Sequence, residues 1–204
     1  MPDYSFETAA IHPVCGIDEA GRGPWAGPVV AAAVILDFRA IPEGLDDSKR
    51  LTAARRETLH ANLLVCASIG IGEASVAEID ALNILRASFL AMRRAVAALG
   101  HLPATALVDG NLVPPDLPCP AQAIVRGDGR ALSIAAASIV AKVTRDRIMV
   151  ALSQQFPGYG WETNMGYGTP AHASGLERWG VTQHHRRSFE PIHKMLCEPQ
   201  QLSG

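Results

Sequence analysis

The segment Gly16-Ile17-Asp18-Glu19-Ala20-Gly21-Arg22-Gly23-Pro24 places two neighbouring carboxylates directly before a glycine-rich turn that carries one arginine. Two ionised carboxylates about 4 Å apart repel by roughly 4 kcal/mol at an effective dielectric of about 20, so a fold that holds them together supplies a cation. A divalent metal fits that role. Carboxylate oxygens with few nitrogen or sulfur donors favour hard ions such as Mg2+ or Mn2+, which keep several waters and bind substrate phosphates. Two further aspartates, Asp109 in Val108-Asp109-Gly110 and Asp128 in Gly127-Asp128-Gly129, stand where a strand pattern meets a loop. Ligands in open α/β sheets gather at the carboxyl ends of parallel strands, so Asp18, Glu19, Asp109 and Asp128 form a candidate phosphoryl-transfer centre. Any one of these acids taken alone reads more simply as a solvated turn residue or an Asx cap, and repetition at several strand ends weakens that alternative. Successive strand residues face opposite ways, so Asp18 and Glu19 share a site only if their strand ends or bulges there.

The elements that must position these acids follow from apolar patterning. Val14 to Asp18 reads as a short strand and Val29 to Leu36 as a buried one, which suggests a mixed sheet. Gly21 to Ala26 matches a GxGxxA dinucleotide pattern formally, but that motif needs a helix next, and Gly27-Pro28 and a β-branched run follow instead. Thr52 is a plausible N-cap for a helix from about Ala53 to Leu64, followed by a strand at Ala67 to Ala74. Leu85, Phe89, Met92, Val96 and Leu99 recur at helical spacing over Ile84 to Leu99. Strands at Thr105 to Val108 and Ala121 to Val125 each lead to one of the aspartates. A long helix is predicted from about Leu132 to Gln155, with Ala135-Ala136-Ala137-Ser138 offering small side chains for close packing. Within it Asp146, a rival fourth acid, stands four residues after Lys142, where an ion pair is the cheaper reading. Short helices are predicted near Pro170 to Trp179 and Pro191 to Cys197.

Composition narrows the class. The chain has 204 residues, 48% of them hydrophobic, enough for one well-buried core. A formal net charge of −2 excludes a protein that grips nucleic acid over its whole surface, though not one with a local basic groove. Cys15, Cys66, Cys119 and Cys197 stand far apart without zinc-ligand spacing, which predicts reduced thiols. No leader pattern or apolar run long enough to span a bilayer is present, so the expectation is a cytoplasmic protein without membrane attachment. A monomer is expected, since no heptad stripe or exposed apolar strand advertises a partner surface.

These residues resemble the ribonuclease HII family over nearly the whole chain. GIDEAGRGP at Gly16 to Pro24, Asp47-Ser48-Lys49, Val108-Asp109-Gly110, Gly127-Asp128, the run Ile134 to Asp146, Gly166-Tyr167-Gly168-Thr169 and His184-His185-Arg186-Arg187-Ser188-Phe189 occur in family order. The resemblance implies an α/β, ribonuclease H-like fold: a mixed five-stranded sheet flanked by helices, with C-terminal helices closing a substrate groove. Residues 1–204 would form one catalytic domain, with about 157–197 a helical extension and 198–204 a flexible tail. It implies a metal-dependent endoribonuclease that hydrolyses the RNA strand of RNA/DNA hybrids. Such an enzyme also cuts on the 5′ side of ribonucleotides embedded in duplex DNA, leaving a 3′-hydroxyl and a 5′-phosphate. The family's four metal-binding acids map onto Asp18, Glu19, Asp109 and Asp128, holding two ions, Mg2+ or Mn2+.

The family reads the ribose through its GRG turn, here Gly21, Arg22 and Gly23, together with a motif tyrosine that matches Tyr167. The 2′-hydroxyl is the feature by which a protein tells RNA from DNA. Met165 stands where a lysine is frequent in the family, which puts one phosphate contact in doubt. Lys49, Lys142 and Arg145 are expected near the phosphodiester backbone, the last two sharing a helix face by their i, i+3 spacing. His184 to Arg187 is assigned to structure first and to substrate contact second. Two other readings compete: a two-metal junction resolvase on a similar fold, which would not need the GRG turn or Tyr167, and a hybrid-binding module that cannot cut.

Overall fold

The computed structural model describes residues 1–197, so the tail expected at 198–204 lies outside the described residues. Five strands form one sheet: β1 (Val14–Ala20), β2 (Val29–Leu36), β3 (Ala67–Ala74), β4 (Thr105–Asp109) and β5 (Ala121–Ile124). Their spatial order is β3-β2-β1-β4-β5. β1 and β2, and β2 and β3, pair antiparallel, whereas β1, β4 and β5 run parallel. This is the expected mixed sheet, and it aligns the carboxyl ends of β1, β4 and β5 along one edge.

The helices are α1 (Ser5–Thr8), α2 (Ala53–Cys66), α3 (Val76–Leu82), α4 (Ile84–Ala97), α5 (Leu132–Gln155), α6 (Trp161–Asn164), α7 (Pro170–Trp179) and α8 (Glu190–Cys197). Two cores lie on opposite faces of the sheet. On one, Ile17, Ala31, Ala33 and Val108 meet Ala87, Ala91, Met92 and Ala95 of α4. On the other, Ala32, Val34 and Leu36 meet α2 and the Ala135 to Ala141 stretch of α5. The α4 core is built from an alanine row beside Met92, Val96 and Leu99, with Phe89 partly buried and Leu85 lining the hollow next to Glu19 instead, because small side chains let the helix come close to the sheet. The same logic operates at β1 and α5: a Cβ on Gly16 would lie 2.1 Å from the Ser133 backbone, so only glycine admits this contact.

Helix ends are satisfied by named groups. Thr52 caps α2, as its sequence position suggests, and Ser75 with Glu78 forms a full capping box on α3, with Glu78 also paired to Arg94 at 2.7 Å. The N-terminus of α5 is capped from far away: buried Glu7 of α1 accepts from the Ser133 N–H at 2.7 Å and its hydroxyl at 2.6 Å. Among the described residues no helix is long and apolar enough to cross a membrane.

Candidate active site

Strand register explains where the acids fall. Ile17 of β1 lies beside Val108 of β4, so the next residues along, Asp18 and Asp109, stand level on the face that meets α5. Asp109 lies beside Ile124 of β5, and the chain then turns through a short 3-10 segment, Gly127–Gly129, that carries Asp128. The Gly127 N–H donates to Asp109 Oδ1 at 2.7 Å and ties that turn to β4. As a result one carboxylate oxygen each from Asp18, Asp109 and Asp128 lies within 4.8 Å of the others.

Glu19 stands apart from this trio. β1 neither ends nor bulges at Asp18; it continues in regular register through Glu19 and Ala20 against Ala31 and Val30. Glu19 therefore turns to the α4 face, where its carboxylate meets the Arg22 guanidinium at 3.2 Å and shares a small hollow with Phe89, Met92 and Asp109. Asp146, the rival fourth acid, pairs with Lys142 Nζ at 2.7 Å and is not among the three acids that converge.

Electrostatics make the trio a receptor for a cation. Burial first, then the charges of Glu19 and Asp109, hold the Asp18 carboxyl well above its ordinary value, against the pull of the Glu19 N–H at 2.7 Å. Asp128 is raised by burial and then by Asp109 and Asp47, with Lys49 opposing. Glu19 is also raised by burial, with Arg22 opposing. Lys49 reaches Asp128 only at 3.9 Å and is largely exposed. An all-oxygen set that is buried and mutually repelling fits a hard divalent ion, which would supply the missing positive charge.

Beside the acids a cavity of about 350 Å³ is lined by Asp18, Glu19, Gly21 to Gly23, Lys49, Lys142 and Tyr167. A wider groove of about 910 Å³ runs past Asp109 and Asp128 between Lys49, Arg50, Arg126 and Arg130. Arg126, which the sequence reading passed over, holds a left-handed backbone (φ 54°) directly before the Asp128 turn. Only its place next to Gly127-Asp128 could have marked it.

The turn itself is shaped from behind. Gly21 has φ +98°, and the Arg145 side chain occupies the space a Cβ would need. Arg186 donates to the carbonyls of Gly21, Arg22, Gly27 and Pro28, and Arg145 to those of Ala26, Pro28 and Met165. In a trans peptide the next N–H points opposite to the carbonyl, so the N–H groups of Arg22 and Gly23 face away from Arg186, in a turn that lines the cavity.

Arg145 thus departs from expectation. It is 1% exposed, and each of its three guanidinium nitrogens donates to a backbone carbonyl, so it braces the turn from the edge of the cavity. Both Arg145 and its i, i+3 partner Lys142 line the cavity, Lys142 with the more exposed side chain. Arg186 and His185 are likewise buried, in line with a structural part for that stretch. Tyr167 projects into the cavity with 46% of its surface exposed, and its ring edge passes 3.5 Å from where a Gly23 Cβ would sit.

Comparison with known proteins agrees with this geometry. A family model described as ribonuclease HII matches residues 15–192. A ribonuclease HII of Ruegeria pomeroyi is 63% identical over 202 residues, covering 97% of this chain and 86% of that protein. The ribonuclease H2 of Pyrococcus horikoshii OT3 superposes with a TM-score of 0.76 at 29% identity, over 89% of this chain and 96% of the other. The PCNA:RNase HII complex from Archaeoglobus fulgidus gives a TM-score of 0.74 at 27% identity, over 87% and 95% of the two chains. A match this long, with the acids gathered at three parallel strand ends, means that the chain belongs to the ribonuclease HII family, metal-dependent endoribonucleases that act on RNA paired with DNA.

Proposed function

We propose that this enzyme cuts on the 5′ side of ribonucleotides, within hybrids and singly embedded in duplex DNA, and leaves a 3′-hydroxyl and a 5′-phosphate. The observation that carries this reading is the adjacency of the acid trio to the GRG turn and Tyr167 around one cavity. Asp18, Asp109 and Asp128 would hold divalent ions, Mg2+ or Mn2+, and Glu19, which shares a hollow with Asp109 and borders the cavity beside Asp18, would complete the set for two. Paired ions of this kind lower the pKa of water and offset charge on the leaving oxygen during in-line displacement at phosphorus.

The chain's own residues supply position and selectivity. The outward N–H groups of Arg22 and Gly23 suit an anionic oxygen or the 2′-hydroxyl of a ribose. Gly23 leaves room for that sugar beside the Tyr167 ring, whose phenol would exchange a hydrogen bond with the 2′-oxygen. Lys49 and Lys142, with Arg126 and Arg130 along the groove, would take the flanking phosphates. Met165 lends no cation there, so those four carry more of the salt-dependent affinity.

The test uses duplex DNA with one ribonucleotide, incubated with and without Mg2+ or Mn2+ beside an all-DNA control. The expected result is metal-dependent incision 5′ to the ribonucleotide and an intact control. Cutting of the control would favour a resolvase, and metal-dependent binding without incision would favour a hybrid-binding module.

A further inference from the structure

Tyr167 rides on a peptide gripped at three successive carbonyls by three different parts of the chain. Met165 O accepts from Arg145 at 2.9 Å, Gly166 O from the Trp25 N–H at 2.8 Å, and Tyr167 O from the Thr169 N–H at 2.8 Å and from His172 Nδ1 at 3.0 Å. The His172 grip comes from a buried side chain in α7 that no step of the proposed reaction uses.

The tautomer of His172 follows from its partners. A carbonyl only accepts, so Nδ1 carries the proton, and in the neutral ring Nε2 is bare. The bare Nε2 receives the Trp161 indole N–H at 3.1 Å and lies 3.0 Å from His185 Nε2. His185 is assigned independently from its far side: the Thr182 backbone N–H donates to Nδ1 at 3.0 Å, which leaves the His185 proton on Nε2, aimed at His172. The two assignments meet without conflict. A chain of donors runs from the Thr182 N–H through His185 and His172 to the Tyr167 carbonyl.

This chain is set for the neutral state. An added proton would have to enter at His172 Nε2, which faces two N–H groups, or at His185 Nδ1, which faces the Thr182 N–H at 3.0 Å and the Thr182 hydroxyl at 2.9 Å. The rings of Trp25, Tyr159 and Trp161 surround the pair, and His184 is the other titratable neighbour. Burial lowers the pKa of both histidines, His185 to about 3.

We propose that His172, held in one tautomer by His185, is the positioning residue for Tyr167: it fixes the peptide that carries the tyrosine and so sets the reach of the phenol to the ribose. The inference rests on the reading of Tyr167 as the ribose sensor. It accounts for a side chain that is half exposed to the cavity on a backbone with so little freedom.

Steady-state cleavage of the single-ribonucleotide duplex tests this, with thermal melting as a folding control. His172→Leu is expected to lower kcat/KM about tenfold or more, since small misplacements of a contact group cost one to two orders of magnitude. His172→Asn, whose amide nitrogen overlays Nδ1, is expected to recover activity to within about threefold. In a Tyr167→Phe background the further loss from His172→Leu should shrink to less than about twofold, because both changes act through one hydroxyl. A folded His172→Leu enzyme at wild-type kcat/KM would overturn the inference, and so would losses that multiply in the double variant. Should His172→Leu fail to fold, His172→Gln decides: its amide lies nearer Nε2 and withdraws the donor from Tyr167, so wild-type kcat/KM in that variant also overturns it. If Tyr167→Phe alone leaves kcat/KM unchanged, the sensor reading itself fails, whatever His172 does.

Discussion

At the ends of β1, β4 and β5 three carboxylates crowd within 4.8 Å, with the exposed Lys49 at 3.9 Å from Asp128. Behind the GRG turn two guanidinium groups, Arg145 and Arg186, are at least as buried, yet each is satisfied by backbone carbonyls at about ordinary hydrogen-bond length. Burial lowers these arginines to about 10 and about 9, still protonated at neutral pH. The acid edge is therefore completed by a ligand, whereas the arginine scaffold is complete in itself. Residues of the first kind trade stability for function, and residues of the second supply the stability.

The sharpest way to break that contrast is to neutralise one acid. Asp18→Asn is expected to cut the cleavage rate by about a thousandfold or more, as removal of key transition-state stabilisation does. The same change relieves burial and repulsion of a carboxylate, so the metal-free protein should melt higher, by about 2–4 °C for each kcal/mol gained in a chain of this size. Lower stability of Asp18→Asn in a chelator would contradict the account. Arg186→Ala should do the reverse to stability. It strands the carbonyls of Gly21, Arg22 and Gly27, while Pro28 keeps Arg145, and is expected to cost about 3–5 kcal/mol, measured by urea unfolding.

The two regions also respond to acid with opposite signs. His185, with a folded pKa of about 3 against an ordinary 6.5, binds fewer protons folded than unfolded between those values. Its contribution is complete above pH 6.5 and is lost as pH falls toward 3, at about 1.4 kcal/mol per pH unit. Asp18 is raised, so it binds more protons folded than unfolded above its ordinary 3.8, and acidification relieves its strain. In the Asp18→Asn protein the loss of stability on going from pH 7 to 5 should therefore be steeper than in wild type. A smaller effect sharpens the helix-capping side of the scaffold: Glu7→Ala, which strips the α5 N-terminus, should cost about 1–2 kcal/mol in thermal or urea unfolding.

Local pattern was enough to read the acids and their strands, because a hydrophobic run that stops at an aspartate before a glycine is visible in a few residues. The α5 bounds, Leu132–Gln155, and the Thr52 cap are local in the same way. Other features depend on partners far away in the chain. Arg145 and Lys142 share an i, i+3 spacing, but only the carbonyls of residues 26, 28 and 165 decide that Arg145 is buried while Lys142 stays partly exposed. His172 and His185 meet across 13 residues, and Glu7 reaches Ser133 across 126. The α3 helix was legible and unread: Ser75 and Glu78 carry the capping-box spacing. Glu19 shows alternation holding where the site reading wanted an exception, since β1 runs on regularly and turns that side chain to the other face.

The most direct test of the acid centre is Mn2+ binding to wild type and Asp18→Asn, titrated by calorimetry at pH 8 and pH 6. Protons compete with metal for carboxylates whose pKa is raised, so wild-type affinity should fall at the lower pH and be largely lost in the variant at both. Equal affinity in the two proteins, or affinity in wild type that ignores pH, would contradict an ion held by Asp18, Asp109 and Asp128.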